Sequence, residues 1–419
     1  MVARLTSTST NEMLLKYTNN NLYKFNDLTI KLASGNKFNS ISEDPTATVN
    51  ILNTNRQINQ IDTFAGNISL ASSSLENQDS IFALAEKYTQ RARDLGMQAA
   101  SGTYTADDLT AIKADIDELV NTLKDIGNNQ YNGNYTFSGS RIKIAPYTVE
   151  QDEEGNITVT YNGSKASDNY QKKTEVADGV FETINVTGDQ VFGYHEKVQS
   201  TDAGGNKLFR DASDNEVVFD EAQQKYFYTS DGSEYTGDVK ALTKEYNQAT
   251  DASGNKKFEA VDGAYVYYDG SSYFYEDGSA YTGDVNDLNK VYEYNSSGAF
   301  GAICELSSSL DRAIKAFKNK NTDVKDSAEQ QIRDTLDKFA AGINNITTVQ
   351  TKFGGVSNRL EMTQNTLDTN KLKLTEYLSG IKDLDFTEAI TDWMNAQYAY
   401  EASLKAMSQT MNTSLLNYM

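Results

Sequence analysis

An apolar residue recurs at every seventh position between residues 339 and 381. The series comprises Phe339, Ile346, Phe353, Leu360, Leu367, Leu374 and Ile381. A strict seven-residue repeat forms a narrow apolar strip along a long helix that supercoils around a partner. At about 1.5 Å per residue this helix is roughly 60 Å long, which is more than a compact domain requires. Because one strip cannot bury itself, the sequence predicts a partner helix elsewhere in the chain.

The second long helix is predicted over residues 45–100. Its strip comprises Ile61, Ile68, Leu75 and Phe82, which again lie seven residues apart. The preceding Ser42-Glu43-Asp44 offers side chains that cap a helix, and Pro45 suits the first helical turn. We interpret this helix as the partner of the 339–381 strip.

Two shorter apolar series complete the predicted bundle. Thr105 and Asp108 have the spacing of a capping box, and apolar residues from Leu109 to Ile126 follow them at helical spacing. A fourth series runs from Ile303 to Phe317, followed by a helix cap predicted at Thr322 or Asp323. The four helices predict a coiled-coil bundle built from both ends of the chain.

Each end of the chain carries one further helix, at residues 1–35 and after Gly380. Their apolar residues have no obvious core within the bundle, so we expect these helices to pair with each other and with neighbouring subunits. The residues predicted for this assembly surface are Leu22, Phe25, Leu32, Trp393, Tyr400, Leu404, Met407, Met411 and Leu415.

Gly354 and Gly355 interrupt the 339–381 strip near its centre. Adjacent glycines each cost a helix interior roughly 1 kcal/mol relative to alanine. A second row of the same helix is polar there, at Gln350, Ser357 and Gln364. We therefore expect this segment to touch a neighbouring subunit closely.

The middle of the chain, residues 141–299, has a different composition, rich in Gly, Asp, Thr and Tyr. Residues 157–161 alternate in the manner of a half-buried strand. Residues 264–275 are typical of a hairpin that turns at Asp269-Gly270. A β-rich region is predicted here.

This region also contains a duplication, with copies near residues 199–247 and 248–294. The peptide Tyr-Thr-Gly-Asp-Val occurs at 235–239 and again at 281–285. Two copies are too few for a solenoid. We interpret them as two similar small β-rich units.

The predicted fold class is α+β, with long antiparallel heptad helices and an inserted β-rich region. Three domains are predicted. Residues 1–40 and 385–419 form terminal helices, residues 41–140 and 300–384 form the helical bundle, and residues 141–299 form the variable outer region.

Composition excludes several classes of function. Asp and Glu outnumber Lys and Arg by 59 to 38, a net charge of −21 that would repel nucleic acid and anionic lipid. The single cysteine, Cys304, allows no internal disulfide and is interpreted as a buried small hydrophobe. The first residues lack the apolar core of a signal peptide, and no stretch is long enough to span a membrane.

Candidate catalytic, cofactor and metal sites are weak, and none is assigned. His195-Glu196 begins like a zinc-protease motif, but Gln199 occupies the place of the second histidine, so we interpret the pair as a surface dipeptide. The Asp251, Ser253 and Asn255 spacing is better explained by a solvated turn than by calcium binding. The tyrosines favour strand packing, with carbohydrate or protein binding as the alternative.

Both ends of the chain resemble the flagellin family. At the N-terminal end the resemblance rests on residues 32–37 and on the Ser42-Glu43-Asp44-Pro45 segment. At the C-terminal end it rests on residues 353–361, 383–389 and 414–419. The resemblance covers both helical ends and implies a structural protein of the bacterial flagellum that is not an enzyme and needs no cofactor.

Two features are more similar to the family's hook-filament junction proteins than to its filament subunits. Pro45 follows the acidic pair, where flagellins more usually have alanine. Residues 134–141 and 188–193 resemble the segments that begin and end the first β unit of junction proteins. The duplicated segment departs from the shorter members of the family.

This resemblance implies a ring of identical subunits between the hook-side junction protein and flagellin. It also implies an export chaperone, the flagellar export apparatus and an extracellular location at the junction, reached without a cleavable signal peptide. Membrane insertion is not expected. Flagellin itself is the first alternative, and a surface adhesin that binds glycans through Tyr226, Tyr228, Tyr273 and Tyr275 is the second.

Overall fold

The computed structural model of the protein describes residues 7–101, 104–152 and 155–416. The helices of this part are α1 (Ser7–Ser34), α2 (Pro45–Ala99), α3 (Ala106–Gly127), α4 (Gly188–Val191), α5 (Gly298–Lys318), α6 (Thr322–Lys382) and α7 (Phe386–Leu416). Both long helices predicted from the heptad strips are present. The cap of α6 is Asn321 instead of Thr322 or Asp323, because its Oδ1 atom accepts a hydrogen bond from the Val324 amide at 3.2 Å.

The strands lie between α3 and α5. They are β1 (Gln130–Tyr131), β2 (Asn134–Tyr135), β3 (Tyr147–Gln151), β4 (Ile157–Tyr161), β5 (Lys173–Ala177), β6 (Val180–Thr183), β7 (Tyr194–Lys197), β8 (Lys207–Arg210), β9 (Glu216–Asp220), β10 (Lys225–Tyr228), β11 (Thr243–Lys244), β12 (Lys256–Glu259), β13 (Tyr265–Tyr268), β14 (Tyr273–Tyr275), β15 (Asn289–Lys290) and β16 (Tyr294–Ser297). The predicted strand at 157–161 and the predicted hairpin at 264–275 are both confirmed. The fold class is α+β.

The chain forms two compact units. The first contains α1, α7, the part of α2 up to Ser69, the part of α6 from Leu360, and residues 175–180. The second contains residues 70–174 and 181–359.

In the second unit, a central antiparallel sheet in the order β16-β7-β4-β3 carries the aromatic core. Tyr147 of β3 lies with its ring centroid 4.7 Å from that of Phe300 at the start of α5. Phe137 meets Phe192 edge to face at 5.0 Å, and both are fully buried. Such aromatic pairs contribute beyond the area they bury.

The duplicated segments fold into two four-stranded sheets of identical order, β10-β9-β8-β11 and β14-β13-β12-β15. Phe209 pairs with Val217 in the first, and Phe258 pairs with Val266 at the same place in the second. The prediction of two similar small β units is confirmed.

The repeated Tyr-Thr-Gly-Asp-Val peptide makes the same turn in each repeat. The Tyr235 hydroxyl donates a hydrogen bond to the Asp238 carbonyl at 3.3 Å, and the Asp238 carboxylate accepts from the Lys240 amide at 2.9 Å. Tyr281 and Asp284 repeat this arrangement. A Cβ atom on Gly237 would lie 2.4 Å from the Tyr235 hydroxyl, so the glycine lets the tyrosine close over the turn.

The second repeat packs on the turn between α5 and α6. Ala260, Ala264 and Val266 form a buried cluster with Ala316 and Val324 of these helices. Arg312, which is buried, donates from Nε to the Gly263 carbonyl at 2.8 Å and lies over the Tyr265 ring at 3.8 Å. This repeat is therefore part of the core of the second unit.

Candidate assembly surfaces

The helices α1 and α7 of the first unit pack against each other through aromatic side chains. The Phe25 ring lies 5.5 Å from Trp393 and 6.3 Å from Tyr400, stacked on the latter at an angle of 9°. The indole Nε1 of Trp393 donates to the Thr29 hydroxyl at 2.9 Å. Among the residues predicted for assembly, these three aromatic rings hold the two helices together.

The other predicted assembly residues occupy several environments. Leu22, Leu32 and Met407 are half-buried, whereas Leu404 is 43% exposed. The side chains of Met411 and Leu415 lie outside the described part of the chain.

A second set of apolar side chains on α1 and α7 faces solvent. Its most exposed members are tyrosines, since Tyr23 is 76% exposed and Tyr398 is 68% exposed. Leu15, Tyr17, Ile30, Phe386, Ile390 and Met394 are all between 45% and 57% exposed. A concentration of exposed apolar side chains marks an interaction surface. The residues predicted for the assembly surface do not include this set.

The loop between α1 and α2 is fixed by the residues of the family-like segment. Gly35 ends α1 with a positive φ of 70°, and its carbonyl accepts a hydrogen bond from the Leu384 amide at 2.9 Å. The carboxylate of Glu43 accepts from Lys31 at 2.9 Å, and this hydrogen bond lowers the pKa of Glu43. Asp44 caps α2 by accepting from the Ala47 amide at 2.8 Å. Glu43 and Asp44 therefore both stabilise the local structure of this loop.

The strips of α2 and α6 are largely buried, and in the second unit the Phe82 and Phe353 rings lie 5.8 Å apart. Ile68, Leu75, Phe82, Phe339, Ile346, Phe353, Leu360 and Leu367 are buried, and Ile61 and Leu374 are half-buried. The polar row contributes too, because Gln350 donates to Asp79 at 2.9 Å. In the first unit, Lys371 and Asp62 form an ion pair at 2.6 Å.

Gly354 and Gly355 lie within the uninterrupted helix α6. A Cβ atom at Gly354 would meet nothing within 4 Å, and one at Gly355 would meet only Arg359 Nη1 at 3.9 Å. No close packing of the described residues requires glycine at either position. Arg359 itself binds Glu182 through two hydrogen bonds of 2.7 and 2.8 Å.

The 134–141 segment anchors the central sheet to the helices. The Phe137 ring lies 6.0 Å from Phe82 of α2. The Tyr161 hydroxyl donates to the Phe137 carbonyl at 2.7 Å, and burial raises the pKa of Tyr161. The Gly188 amide donates to the same Phe137 carbonyl at 2.9 Å. The two segments that resemble junction proteins thus meet at one buried carbonyl.

The sequence placed His195 on the surface, and this was wrong. His195 is buried between neighbouring strands, with its ring stacked on Tyr294 at 4.3 Å and Nδ1 2.7 Å from the Ser296 hydroxyl. Burial, with a smaller contribution from Lys338, lowers its pKa to about 3. The side chain is therefore neutral and structural at physiological pH.

The remaining candidates for chemistry also have structural explanations. Cys304 is fully buried, as predicted, and burial raises its pKa. Asp251 accepts from the Ser253 amide at 2.8 Å and from the Asn255 amide at 2.9 Å, which confirms a turn. Within the described ranges, no group of three or more His, Cys, Asp or Glu side chains is placed to hold a metal ion. None of the described helices is long and apolar enough to span a membrane.

The tyrosines proposed for glycan binding pack inside their own repeats. Tyr228 meets Tyr235 edge to face at 5.6 Å, and Tyr275 meets Tyr281 in the same way at 5.5 Å. Tyr226 packs on Phe209 at 5.4 Å. All four predicted tyrosines are half-buried, and the three contacts just described are to aromatic side chains of the same repeat.

Comparison with known proteins identifies both helical ends. The bacterial flagellin N-terminal helical region matches residues 5–141, and the C-terminal helical region matches residues 336–419. Together they cover more than half of the chain. A flagellin of Clostridium tyrobutyricum is 21% identical over 379 residues, which is 87% of each protein.

Solved structures with a similar arrangement include two flagellar proteins. Flagellar hook associated protein-3 from Legionella pneumophila is 18% identical, with 79% of this chain and 98% of that chain covered and a TM-score of 0.46. FlgL from Xanthomonas campestris is 16% identical, with 78% and 99% covered and a TM-score of 0.45.

Proposed function

The chain belongs to the flagellin family, and we propose that this structural protein of the flagellum forms the junction between the hook and the filament. The observation that carries a role in assembly is the exposed apolar surface of α1 and α7. An isolated subunit gains nothing from exposing Tyr23, Ile30 and Tyr398, whereas neighbouring subunits would bury them.

Residues of two sequence segments support the junction role over the filament role. Pro45 begins α2 directly after its cap, Asp44. The segment 134–141, which resembles that of junction proteins, supplies the buried Phe137 that joins α2 to the central sheet. These features favour a subunit whose β region is held firmly on its helices.

The proposed assembly is a ring of identical subunits. Its terminal regions, 1–40 and 385–419, would line the axial channel, and the bundle of 41–140 and 300–384 would surround them. Residues 141–299 would face outward. The ring would contact the hook-side junction protein on one side and flagellin on the other, after export with a chaperone through the flagellar export apparatus. No catalytic activity is proposed.

Deletion of the gene tests the junction role. We expect hooks without filaments and flagellin released into the medium, because the filament has no base on which to assemble. Adding back the purified protein should restore filament growth on these hooks. Electron microscopy of the hooks and detection of flagellin in the medium provide the two measurements.

Flagellin itself is the second candidate, favoured by the similarity to the Clostridium tyrobutyricum flagellin. If this chain were the filament subunit, deletion would remove the major secreted flagellar protein. The purified chain would also polymerise into long filaments without a second flagellin. Either result would exclude the junction role.

The terminal helices are expected to exchange amide hydrogens rapidly in an isolated subunit. Many of the apolar side chains of α1 and α7 are exposed in the single subunit, so local opening of these helices should cost little free energy. Hydrogen exchange measured by mass spectrometry on the monomer should show weak protection at residues 1–30 and 395–419. Strong protection of both segments would contradict the prediction, and α3 provides an internal reference of a buried helix.

Replacing Gly354 and Gly355 with alanine is expected to stabilise the isolated subunit by about 1 kcal/mol per residue. The added methyl groups meet open space, and alanine favours helix over glycine by that amount. Replacing both with leucine should leave the monomer folded but impair addition to hooks, because we propose that a neighbouring subunit approaches closely here. Denaturant unfolding and hook-addition assays measure the two effects.

Gly66 of α2 provides the matched control. It also lies in a helix interior, and a Cβ atom there would meet nothing within 4 Å. Gly66→Leu should therefore add to hooks normally. If the leucine variant at 354 and 355 also adds normally, these glycines contact no neighbour.

A further inference from the structure

A polar groove lies between the outer face of the central sheet and the base of the first repeat. It encloses about 500 Å³, which is within the size range of ligand pockets. Thr148 and Glu150 of β3 and Thr158 and Thr160 of β4 form its floor. Lys207, Lys244 and Tyr246 of the first repeat form one wall. Of all the lining residues, Val198 alone is aliphatic. An apolar ligand would leave these polar groups without partners, so the groove suits a ligand rich in hydroxyl groups.

The charge of this groove is opposite to that of the chain. Its lining contains four lysines and three acidic residues, in a protein of net charge −21. Two of the lysines are neutralised within the groove. Lys165 pairs with Glu196 at 3.2 Å, and Lys197 pairs with Asp152 at 3.1 Å.

The other two lysines, Lys207 and Lys244, belong to the first repeat. Lys207 approaches Glu221, which lies outside the groove, at 3.6 Å, and both side chains are more than half exposed. Such exposed pairs contribute little. Lys244 makes no ion pair with any described residue. These two ammonium groups are available to an anionic ligand.

Tyr246 adds an aromatic surface at the same wall. It is half-buried, and its ring meets Tyr292 edge to face at 6.2 Å. The Lys197 ammonium lies 4.5 Å from the centre of the Tyr292 ring, and this cation–π contact helps to hold the aromatic pair in place. Floor groups are also held in place, since Asn162 donates to the Thr148 hydroxyl at 3.2 Å. The groove is therefore largely preformed.

We propose that this groove binds a short anionic oligosaccharide. Lys207 and Lys244 would pair with carboxylates of the sugar, Tyr246 would pack on a sugar ring, and the threonine and asparagine side chains would bind hydroxyl groups. A nucleic acid fits less well, because Glu150, Asp152 and Glu196 would oppose its closely spaced phosphates. This site is separate from the assembly surfaces and does not depend on the junction role.

Binding of a uronic acid tetrasaccharide to the full-length protein tests the proposal. Tetragalacturonate is the probe and uncharged maltotetraose is its control, both measured by calorimetry at low and moderate salt. We expect tetragalacturonate to bind and added salt to weaken it. The Lys207→Ala/Lys244→Ala variant should lose at least tenfold in affinity, and Tyr246→Leu should also bind more weakly.

Lys225 and Lys240 supply a charge-matched control from the same repeat. Both are exposed and neither lines the groove. Lys225→Ala/Lys240→Ala should retain full affinity, and the unfolding midpoints of all variants should match the parent. Equal losses in both double variants would show nonspecific attraction. Absence of tetragalacturonate binding, equal binding of maltotetraose, or tighter binding of an inorganic polyphosphate would each overturn the proposal.

Discussion

Excision of the first repeat is expected to leave the rest of the chain folded, whereas excision of the second should destabilise it by about 3–5 kcal/mol, through lost apolar burial and a lost hydrogen bond to Arg312. The two deletions remove residues 199–247 and residues 248–293. They are similar in length and composition and differ in what the removed sheet contacts.

Both deletions can be made without stretching the chain, because the first and last residues of each repeat lie next to each other in the structure. Gln199 bridges to Tyr246, and Gln248 bridges to Tyr292. The Asn247 amide donates to the Val198 carbonyl at 2.8 Å, and the Glu293 amide donates to the Asn247 carbonyl at 2.9 Å. Either excision therefore joins residues that already lie side by side.

The first repeat could not make the contact that the second repeat makes with α5 and α6. At the turn that meets Arg312, the first repeat has Asp214 where the second has Gly263. A Cβ atom at Gly263 would lie 2.9 Å from the Arg312 carbonyl, so an aspartate does not fit. The next position also changes from small to polar, because Asn215 stands where the second repeat has the buried Ala264. Excision of the second repeat would leave the apolar side chains of Ala316 and Val324 exposed to water and would remove the hydrogen-bond acceptor and the aromatic ring that hold Arg312.

Two single substitutions separate this contact from the effects of deletion. Gly263→Asp in the full chain should destabilise the protein strongly, because it combines a clash, a buried charge and a positive φ of 80°. Asp214→Gly at the matching turn should be neutral or stabilising, since it relieves a non-glycine residue with a φ of 64°. Denaturant unfolding of all four variants is the measurement. Equal stability of the two deletions would contradict the asymmetry.

The heptad strips and the duplication could be predicted because both are periodic. A period of seven residues identifies α2 and α6 without any tertiary information, and a repeated peptide indicates a repeated fold. Helix starts at Pro45 and Thr105 were equally accessible, since capping depends on neighbouring residues. The structure confirms the Thr105 capping box.

Three features of the structure could not be predicted from the pattern. Gly263 and Asp214 are both common in turns, so only the approach of α5 distinguishes the buried turn from the exposed one. His195 alternates with polar residues in β7, and nothing local shows that Tyr294 covers it. The exposed face of α1 and α7 was missed for a related reason, because Tyr23 and Tyr398 belong to no apolar strip.

Lowering the pH from 7.5 to 4.5 is expected to remove about 3 kcal/mol of stability through His195 alone. Its pKa is about 3 in the folded protein, where burial disfavours the charged ring, and about 6.5 in the unfolded chain. Because the folded-state pKa is depressed, the stabilisation is complete above pH 6.5 and is lost progressively as the pH falls towards 3. At pH 4.5 the pH lies about two units below the unfolded-state pKa of 6.5, and each unit corresponds to about 1.4 kcal/mol of stability.

The variant His195→Gln isolates this contribution, because His195 is the only histidine of the chain. Glutamine remains uncharged over the whole range and can still bond to the Ser296 hydroxyl. Carboxylates titrate in both proteins and cancel in the comparison. Denaturant unfolding at pH 7.5 and 4.5 should therefore show a loss larger by about 3 kcal/mol in the parent than in the variant.

The histidine pKa provides an independent check by NMR, since a single imidazole gives an unambiguous signal. A folded-state pKa near 6.5, or equal losses of stability in the parent and in His195→Gln, would show that protonation is accommodated. Lys338 opposes protonation of His195. It adds to the cost of a charged ring and is already paired with Glu305. Lys338→Met should therefore raise the pKa of His195 and reduce its share of acid sensitivity.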